Sequence, residues 1–441
     1  MTTPPRVDLH GWGRHPVIPA TVRRSEDLER ASLGAGLSRG LGRAYGDAAL
    51  PPRDGGRPVS VTTLADRILG FDPDTGVLRA EAGLSLSTLM HVFLPRGWFS
   101  PVSTGTQYVT LGGMVASDVH GKNHHVHGTF GSFVRALRIR TGTGEVFEAT
   151  PTAHADLFFA TLGGMGLTGH ILEVELTLER LPSPWIFEES ERHGSLREVF
   201  EALTAASEQW PMTVAWVDTS ATGARLGRGI LNKCRWATPD EAPPDPPRPR
   251  PSLPVPFLFP SGVMNPFTVR WQNRIWYWRH GARTKAHVIH PENCFYQLDL
   301  LTEWNRGYGK RGFTQYQCVL PKDPALYEEL LTRFQALGGC SFVTVFKDCG
   351  PEGRGLLSFP QTGTSMALDI PIFPGIEKLV RELNAFVIDH GGRVYLAKDA
   401  FTSPDELTRM YPRLPEFLAV RDRYDPDHTL SSAQSVRLLG Y

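Results

Sequence analysis

Hydrophobic and polar positions alternate over residues 171–178, where leucine and valine occupy the even positions and glutamate and threonine lie between them. This period of two is typical of a β-strand with one face toward water. Residues 59–62 and 77–82 also have strand character. Residues 133–147 predict a hairpin that turns at residues 142–144, where two glycines flank a threonine.

A period near 3.6 predicts helices in the same half of the chain. In residues 85–94 four large apolar side chains share one face, and residues 154–162 have a similar pattern. A short helix is expected to run from Ser25, as its N-cap, through Arg30, because acidic residues follow in its first turn.

The second half of the chain repeats a strand–helix–strand pattern. The predicted elements are strand 315–321, helix 325–337, strand 341–347, then strand 366–372, helix 376–390 and strand 393–397. Two such units in succession indicate an α+β domain with a mainly antiparallel sheet. Two short helices are predicted near residues 404–410 and 415–424.

Proline interrupts these patterns over residues 239–260, which therefore can form neither a regular helix nor an inner strand. An aromatic stretch follows, with Phe267, Trp271 and three further aromatic residues at 276–278. Two interpretations remain open: an ordered loop packed on its own domain, or a flap that covers a lipid-like substrate or touches a membrane surface.

Composition narrows the classes of protein. A chain of 441 residues is long for one core, which favours two domains. Its 46 Lys and Arg balance 46 Asp and Glu, so no nucleic-acid partner is indicated. The five cysteines lack a C-x-x-C pair and favour reduced thiols in a cytosolic protein. No signal peptide and no run of ~18 apolar residues, as a membrane span requires, is recognised.

Two glycine-rich stretches carry the candidate chemistry. The first stretch is residues 103–125, STGTQYVTLGGMVASDVHGKNHH. Its glycines let the backbone approach a ligand closely, and polar side chains follow at its end. This pattern predicts a cofactor cradle whose polar end faces a substrate. Residues 39–47, RGLGRAYGD, add two arginines and fit either a pyrophosphate site or a surface turn. Residues 164–169 match G-x-G-x-x-G, but a strand follows instead of a helix, which argues against a Rossmann loop.

The histidines at 120, 124, 125 and 127 do not predict a metal site, because Lys122 lies among them and no carboxylate has the usual spacing. Neither G-x-S-x-G nor the Walker A pattern occurs, which disfavours serine hydrolases and P-loop NTPases.

Taken together, RGLGRAYGD, the stretch at 103–125 and GGMGLTGHI at 163–171 resemble the FAD-binding half of the vanillyl-alcohol-oxidase-type flavoproteins. Further motifs at 302–317, 341–347 and 395–399 resemble the members that oxidise a lipid-linked ribose. The resemblance implies an α+β protein: a two-subdomain FAD-binding domain of this type, and an α+β substrate domain with a large antiparallel sheet. The expected division is 1–182 for FAD, 183–392 for substrate, and 393–441 as a segment that returns to the FAD domain.

The resemblance also implies site residues. The residues expected to bind FAD are Arg39, Gly40, Leu41, Gly42, Arg43, Ala44, Tyr45, Gly46, Asp47, Gly105, Thr106, Thr110, Gly112, Gly113, Ser117, Asp118, His120, Ile171 and Tyr395. The residues expected to surround the substrate and its chemistry are Lys398, Tyr45, Lys122, Gln315, Gln317 and Lys347. Because Arg43 stands where covalent members often carry a histidine tether, non-covalent FAD is expected.

The implied activity is oxidation of a secondary hydroxyl of a sugar, namely the 2-hydroxyl of a polyprenyl-phosphoryl ribose, as the first half of an epimerisation. The implied partners are a lipid-linked sugar, a short-chain NAD(P)H-dependent reductase and a peripheral membrane contact of a cytoplasmic enzyme. The alternative is an oxidase of free alditols or aldonolactones. Ala367 departs from the cysteine, and Ser365 from the amide side chain, of the resembling enzymes, which leaves the fit of the sugar open.

Overall fold

Three sheets occupy the first part of the chain. In the computed structural model, which describes residues 6–281 and 286–441, the four-stranded sheet has the order β1-β2-β4-β3 and the five-stranded sheet the order β5-β6-β10-β8-β9, while β7 pairs with β11. The strands are β1 Arg6–His10, β2 Val17–Arg24, β3 Leu37–Arg39, β4 Val59–Val61, β5 Ile68–Phe71, β6 Val77–Glu81, β7 Trp98–Phe99, β8 Val134–Arg140, β9 Val146–Ala149, β10 His170–Thr177 and β11 Glu179–Arg180.

The alternating segment is the central strand β10, hydrogen-bonded to β6 and β8, so the prediction of a strand with one wetter face is confirmed. The predicted hairpin is β8 and β9. The helices of this region are α1 Leu28–Ser32, α2 Leu86–Phe93, α3 Leu111–Ala116, α4 His124–His127 and α5 Ala155–Thr161. The helix predicted over residues 85–94 is α2, with Ser85 as its N-cap.

The prediction that Ser25 caps the first helix is wrong. Asp27 caps α1, since its carboxylate accepts a hydrogen bond from the Arg30 N–H at 3.0 Å. Ser25 lies two residues earlier and accepts from the Asp27 N–H at 3.1 Å. Both side chains are good caps, and a carboxylate also benefits from the positive end of the helix dipole.

An eight-stranded sheet dominates the second part of the chain, and every pairing in it is antiparallel, as the repeated pattern predicts. Its order is β16-β12-β14-β13-β19-β20-β18-β21. The strands are β12 Ile186–His193, β13 Met212–Val217, β14 Gly229–Trp236, β15 Leu253–Pro254, β16 His287–Ile289, β17 Leu301–Thr302, β18 Phe313–Leu320, β19 Thr344–Cys349, β20 Gly363–Pro371 and β21 Arg393–Val394. The short strands β15 and β17 pair with each other outside this sheet.

Helices cover one face of the large sheet, chiefly α6, α9 and α10. The helices of this part are α6 Leu196–Ser207, α7 Pro266–Arg279, α8 Pro291–Phe295, α9 Pro324–Ala336, α10 Ile376–Asp389, α11 Pro404–Met410, α12 Leu414–Tyr424 and α13 Ala433–Leu439. Strands β18 and β20 alternate: their even positions carry mainly apolar side chains, such as Cys318 and Leu368, in the hydrophobic core. The side chains at the odd positions lie on the opposite face of the sheet.

The structure differs from the predictions in strand β21 and in helices α7 and α13. The strand predicted over residues 393–397 ends at Val394, because the chain then turns and the Lys398 N–H donates to the Tyr395 carbonyl at 2.9 Å. Helix α13 was not predicted. Neither was α7, although Asn265 and Thr268 form a capping box before Pro266, a recognisable start signal.

The last helices bind back to the first part of the chain. Arg437 of α13 contacts Asp47, and Arg423 and Tyr424 of α12 contact Asp156 of α5. No helix within residues 6–281 and 286–441 has the length and apolar character needed to cross a bilayer.

Candidate active site

Polar side chains collect on the face of the large sheet opposite its covering helices. In the register of β18 and β20, Gln317 lies opposite Ala367 and Gln315 opposite Asp369, while Lys347 of β19 lies opposite Ser365. Residues directly opposite each other share a face, and so do residues two apart along a strand. One sheet face therefore brings together two amides, a hydroxyl, a carboxylate and an ammonium group.

Asp369 is fully buried and incompletely hydrogen-bonded. Gln315 Nε2 donates to its Oδ1, and the backbone N–H of Asp369 donates to Ser341 Oγ at 3.0 Å. No described residue hydrogen-bonds its Oδ2. Burial raises the pKa of Asp369, since a charged carboxylate is disfavoured away from water. The sequence analysis missed this residue.

Lys398, on the turn after β21, interacts with this carboxyl group. Its Nζ lies 3.8 Å from the centroid of the Tyr45 ring. Burial lowers the pKa of Lys398, the charge of Asp369 opposes that shift, and the charge of Lys347 adds to it. An amine with a lowered pKa can exist in its neutral form and accept a proton.

His120 reaches the same face from the glycine-rich stretch. Its Nε2 lies 2.9 Å from Gln317 Nε2, and the Gln317 amide also donates to Ser365 Oγ at 3.0 Å. Burial, followed by Lys347 and other neighbouring cations, holds the pKa of His120 well below its ordinary value. The ring is therefore neutral, and its buried Nδ1 has no hydrogen-bond partner among the described residues.

Two further predicted lysines lie near this cluster. Burial lowers the pKa of Lys347 to about 8, and Lys122 contributes to that shift. Lys122 Nζ donates to the backbone carbonyl of Cys294, which ties the glycine-rich stretch to helix α8. Tyr45 packs edge-on against Phe313 of β18 at 5.5 Å, and burial raises the pKa of its hydroxyl.

The two glycine-rich stretches lie against each other. A Cβ at Gly40 would lie 2.3 Å from Thr110 Oγ1, so only glycine permits this approach. Within the described residues no protein group accepts a hydrogen bond from the backbone N–H groups of residues 40–44. The Arg43 guanidinium stacks over Trp12 at 3.7 Å, and its buried Nε also has no partner there.

Other charged groups predicted to bind the cofactor are occupied within the protein. Arg39 donates to the carbonyls of Ala49 and His10, and burial lowers its pKa to about 10. Asp47 forms an ion pair with Arg437 at 2.8 Å. Asp118 accepts from the Gly131 N–H at 2.9 Å and from the Ser358 hydroxyl. These side chains hold the loops in shape through contacts within the protein, and this role does not depend on what the loop backbone contacts.

The remaining predicted residues line the loops and their surroundings. Thr110 caps α3 by accepting from the Gly113 N–H, and Thr106 donates to Asp299. Tyr395 donates to the Ser117 carbonyl at 2.8 Å and stacks on Phe359. In the loop at residues 39–47, Leu41 is exposed, Gly42 has a positive φ beside Arg39, the Ala44 carbonyl accepts from the Trp12 N–H, and Gly46 lies against Asp399. In the loop at residues 105–118, Gly105 faces open space and Gly112 lies against Ala82. Ile171 is buried in β10.

The missed residue had a detectable signal. In the segment GTSMALDIP of β20, the small or polar residues Ser365, Ala367 and Asp369 alternate with apolar ones. A period of two places them on one face, so Asp369 could have been added to the site from its spacing. Trp12 carried no comparable signal, because its partner Arg43 is remote in sequence.

Comparisons with known proteins identify the family of the chain. A model of the FAD binding domain matches residues 33–150, and a model of D-arabinono-1,4-lactone oxidase matches residues 364–438. The chain is 36% identical to decaprenylphosphoryl-β-D-ribose oxidase of Mycolicibacterium smegmatis, over 98% of this chain and 97% of that protein. It is 32% identical to an uncharacterised protein of Streptomyces coelicolor, over 80% and 100%, and 29% identical to cytokinin dehydrogenase 4 of Oryza sativa, over 49% and 41%.

The residues present fit FAD. The matched domain contains both glycine-rich stretches. The N–H groups of residues 40–44 and Arg43 Nε, which have no protein partner among the described residues, are donors suited to a pyrophosphate. By contrast, no three His, Cys, Asp or Glu side chains are grouped to hold a metal ion in the part of the chain that the structure describes.

Proposed function

Since the chain belongs to the family of decaprenylphosphoryl-β-D-ribose oxidase and is an FAD-dependent oxidoreductase, we propose that it oxidises the 2-hydroxyl of a polyprenyl-phosphoryl ribose to the 2-keto sugar. The observation that carries this proposal is the buried cluster formed by Asp369 and Gln315 of the large sheet with Lys398 of the turn after β21, beside Tyr45. Such a cluster can hold a hydroxyl and move its proton.

When bound, FAD would supply the acceptor for the hydride of the carbinol carbon. The hydroxyl proton must leave as well, and we assign its removal to the neutral amine of Lys398. The alternative that Lys398 only pairs with Asp399 has little support: Asp399 accepts instead from Arg437, the Phe401 N–H and the Thr402 N–H. Gln315 and Gln317 orient sugar hydroxyls in this proposal, and Lys347 and Lys122 hold the phosphoryl group.

The cofactor residues inferred from the resemblance, listed above from Arg39 to Tyr395, are proposed as the FAD site. In this proposal the backbone N–H groups of residues 40–44 would donate to FAD, and Gly105 would allow its close approach. Arg43 cannot form the histidine linkage, and we propose that FAD is held non-covalently. Acid precipitation tests this, with all flavin expected in the supernatant; flavin retained in the pellet contradicts it.

An alditol or aldonolactone oxidase is the second candidate, favoured by the match of residues 364–438 to D-arabinono-1,4-lactone oxidase. A substrate screen that follows dye reduction separates the two. Polyprenyl-phosphoryl ribose should reduce the dye, whereas free alditols and aldonolactones should not. The reverse pattern would replace the proposed function by the second candidate.

We further propose that a short-chain NAD(P)H-dependent reductase completes the epimerisation. We also propose that the enzyme is cytoplasmic with a peripheral membrane contact. The proposed domains are residues 1–182 for FAD, residues 183–392 for substrate, and residues 393–441 as a segment that returns to the FAD domain. The strand distribution supports the boundary at residue 182, since the first strand of the large sheet begins at Ile186, although its last strand, Arg393–Val394, lies beyond residue 392. The ion pair of Arg437 with Asp47 supports the return of the last segment to the first.

A further inference from the structure

Helix α7 presents two different faces. Its inner face carries Val269, Asn273 and Tyr277, spaced by four residues and buried. Asn273 donates to Asp218 Oδ1 at 2.9 Å and to the Ser341 carbonyl at 3.2 Å, and Tyr277 donates to the His193 carbonyl. These contacts fix the helix on the large-sheet part of the molecule.

Its outer face carries four large apolar side chains in contact with solvent. Phe267 is 70% exposed, Trp271 50%, Ile275 63% and Trp278 56%. Spacings of four, four and three residues place them along one stripe of a helix. Large exposed apolar residues grouped in this way mark an interaction surface rather than ordinary surface variation.

In the sequence, the charged residues before, within and after α7 have one sign. Between residues 246 and 291 the sequence contains no Asp or Glu and seven Lys or Arg, at positions 248, 250, 270, 274, 279, 283 and 285. Arg270, Arg274 and Arg279 lie exposed on α7. Arg274 lies 5.9 Å from the Trp271 ring centroid, so cation and aromatic side chain are adjacent. This excess of cations occurs in a chain whose net charge is zero.

The chain just before α7 connects this surface with the candidate site. Met264 packs against the cluster of Trp12, Tyr308 and Phe313, which also includes Tyr45. Tyr45 in turn contacts Lys398. Met264, three residues before Phe267, thus packs the chain that leads into α7 against the aromatic side of the site.

We propose that the outer face of α7 docks on an anionic lipid surface. Aromatic side chains with flanking arginines suit the boundary between acyl chains and anionic headgroups. Each cation near such a surface adds attraction. A protein partner would have to supply an acidic face, and a second copy would bring the same basic helix. The inference rests on the proposed function in one respect: a lipid-linked sugar would be presented at this surface.

The test is co-sedimentation of the FAD-loaded enzyme with vesicles of equimolar phosphatidylglycerol and phosphatidylcholine. The wild type should pellet with these vesicles at low salt and be released at high salt, and should bind pure phosphatidylcholine weakly. The Phe267→Ser/Trp271→Ser variant should lose at least about tenfold in partitioning. Arg270→Gln and Arg274→Gln should each lose about fivefold.

Matched controls are Leu33→Ser/Leu64→Ser, which removes exposed apolar side chains elsewhere, and Arg53→Gln/Arg57→Gln, which removes exposed cations elsewhere. Both should pellet as the wild type does. Flavin absorbance and the melting temperature check the fold of every variant.

Three results would overturn the proposal: no binding of the wild type to anionic vesicles, unchanged binding of Phe267→Ser/Trp271→Ser, or a lipid-free dimer that this variant abolishes. The last would assign the face to a second copy. Because no turnover is measured, these outcomes are independent of the dye-reduction screen that tests the proposed function.

Discussion

The loops at residues 39–47 and 105–118 differ from the face of the large sheet in how their charged side chains are used. In the loops, Asp47 is paired with Arg437, Arg39 donates to two carbonyls and Asp118 accepts from Gly131 and Ser358. In the first loop, the backbone N–H groups of residues 40–44 and Arg43 Nε have no hydrogen-bond partner in the described chain.

On the sheet face the side chains themselves are left incomplete. Asp369 Oδ2 and His120 Nδ1 are buried without hydrogen-bond partners in the described chain, and burial lowers the pKa of Lys398. An unsatisfied buried polar group costs stability, so its presence suggests a function. This contrast supports the proposal that the loop provides backbone donors for a cofactor and the sheet face provides side chains for a substrate.

The largest effect is expected from breaking a paired group. Arg437→Met leaves the buried carboxylates of Asp47 and Asp399 without their cation, which should lower the free energy of unfolding by about 3 kcal/mol. Urea unfolding measures this. Arg409→Met, which removes an exposed pair with Asp389, should cost less than ~1 kcal/mol. Equal losses in the two variants would show that the loops do not depend on this clamp.

Lys398→Ala removes the proposed proton acceptor. FAD content should stay near normal, while reduction of the flavin by substrate slows on the order of 100-fold, the usual scale for a lost acid–base group. Flavin absorbance and stopped-flow reduction measure the two separately, and exposed Lys310→Ala is the control. If reduction remains near the wild-type rate, Lys398 is structural, and Tyr45 or a water molecule is the next candidate.

Gly105→Ala tests whether the loops approach FAD through backbone. A Cβ at this position meets no protein atom within 4 Å, so the fold should be unaffected. If FAD lies there, the added methyl group should weaken its binding about tenfold, within the range of overpacking effects. Reconstitution of the apoprotein measures the affinity. Gly70→Ala, with equally open surroundings, is the control; equal affinities in both variants would place residue 105 away from the cofactor.

Asp369→Asn should have the smallest effect, a change in pH dependence. The Asp369 charge raises the pKa of Lys398, and its removal should lower that pKa. If neutral Lys398 accepts the proton, flavin reduction increases as pH rises through this pKa. The midpoint should therefore move to lower pH in the variant, as rapid-mixing measurements across pH would show. Asp389→Asn, at an exposed site, should leave the midpoint in place; an upward shift for Asp369→Asn would contradict the coupling.

Local sequence determined several elements by itself. Alternation over residues 171–178 predicts β10, the apolar face of residues 85–94 predicts α2, and the glycine-rich stretches mark the loops that the FAD binding domain model covers. These features depend on side-chain periodicity and on backbone conformations that glycine permits, and both are encoded within a few residues of one another.

Only the tertiary structure decided which charges meet. Asp399 follows Lys398 directly in the sequence, yet its carboxylate forms an ion pair with Arg437. The carboxylate that interacts with Lys398 is that of Asp369, on a strand 29 positions earlier. The turn after Val394 separates the two adjacent side chains, and the register of β18 with β20 brings Gln315 opposite Asp369. Pairing between distant strands depends on the whole sheet and its core, and a local pattern cannot specify it.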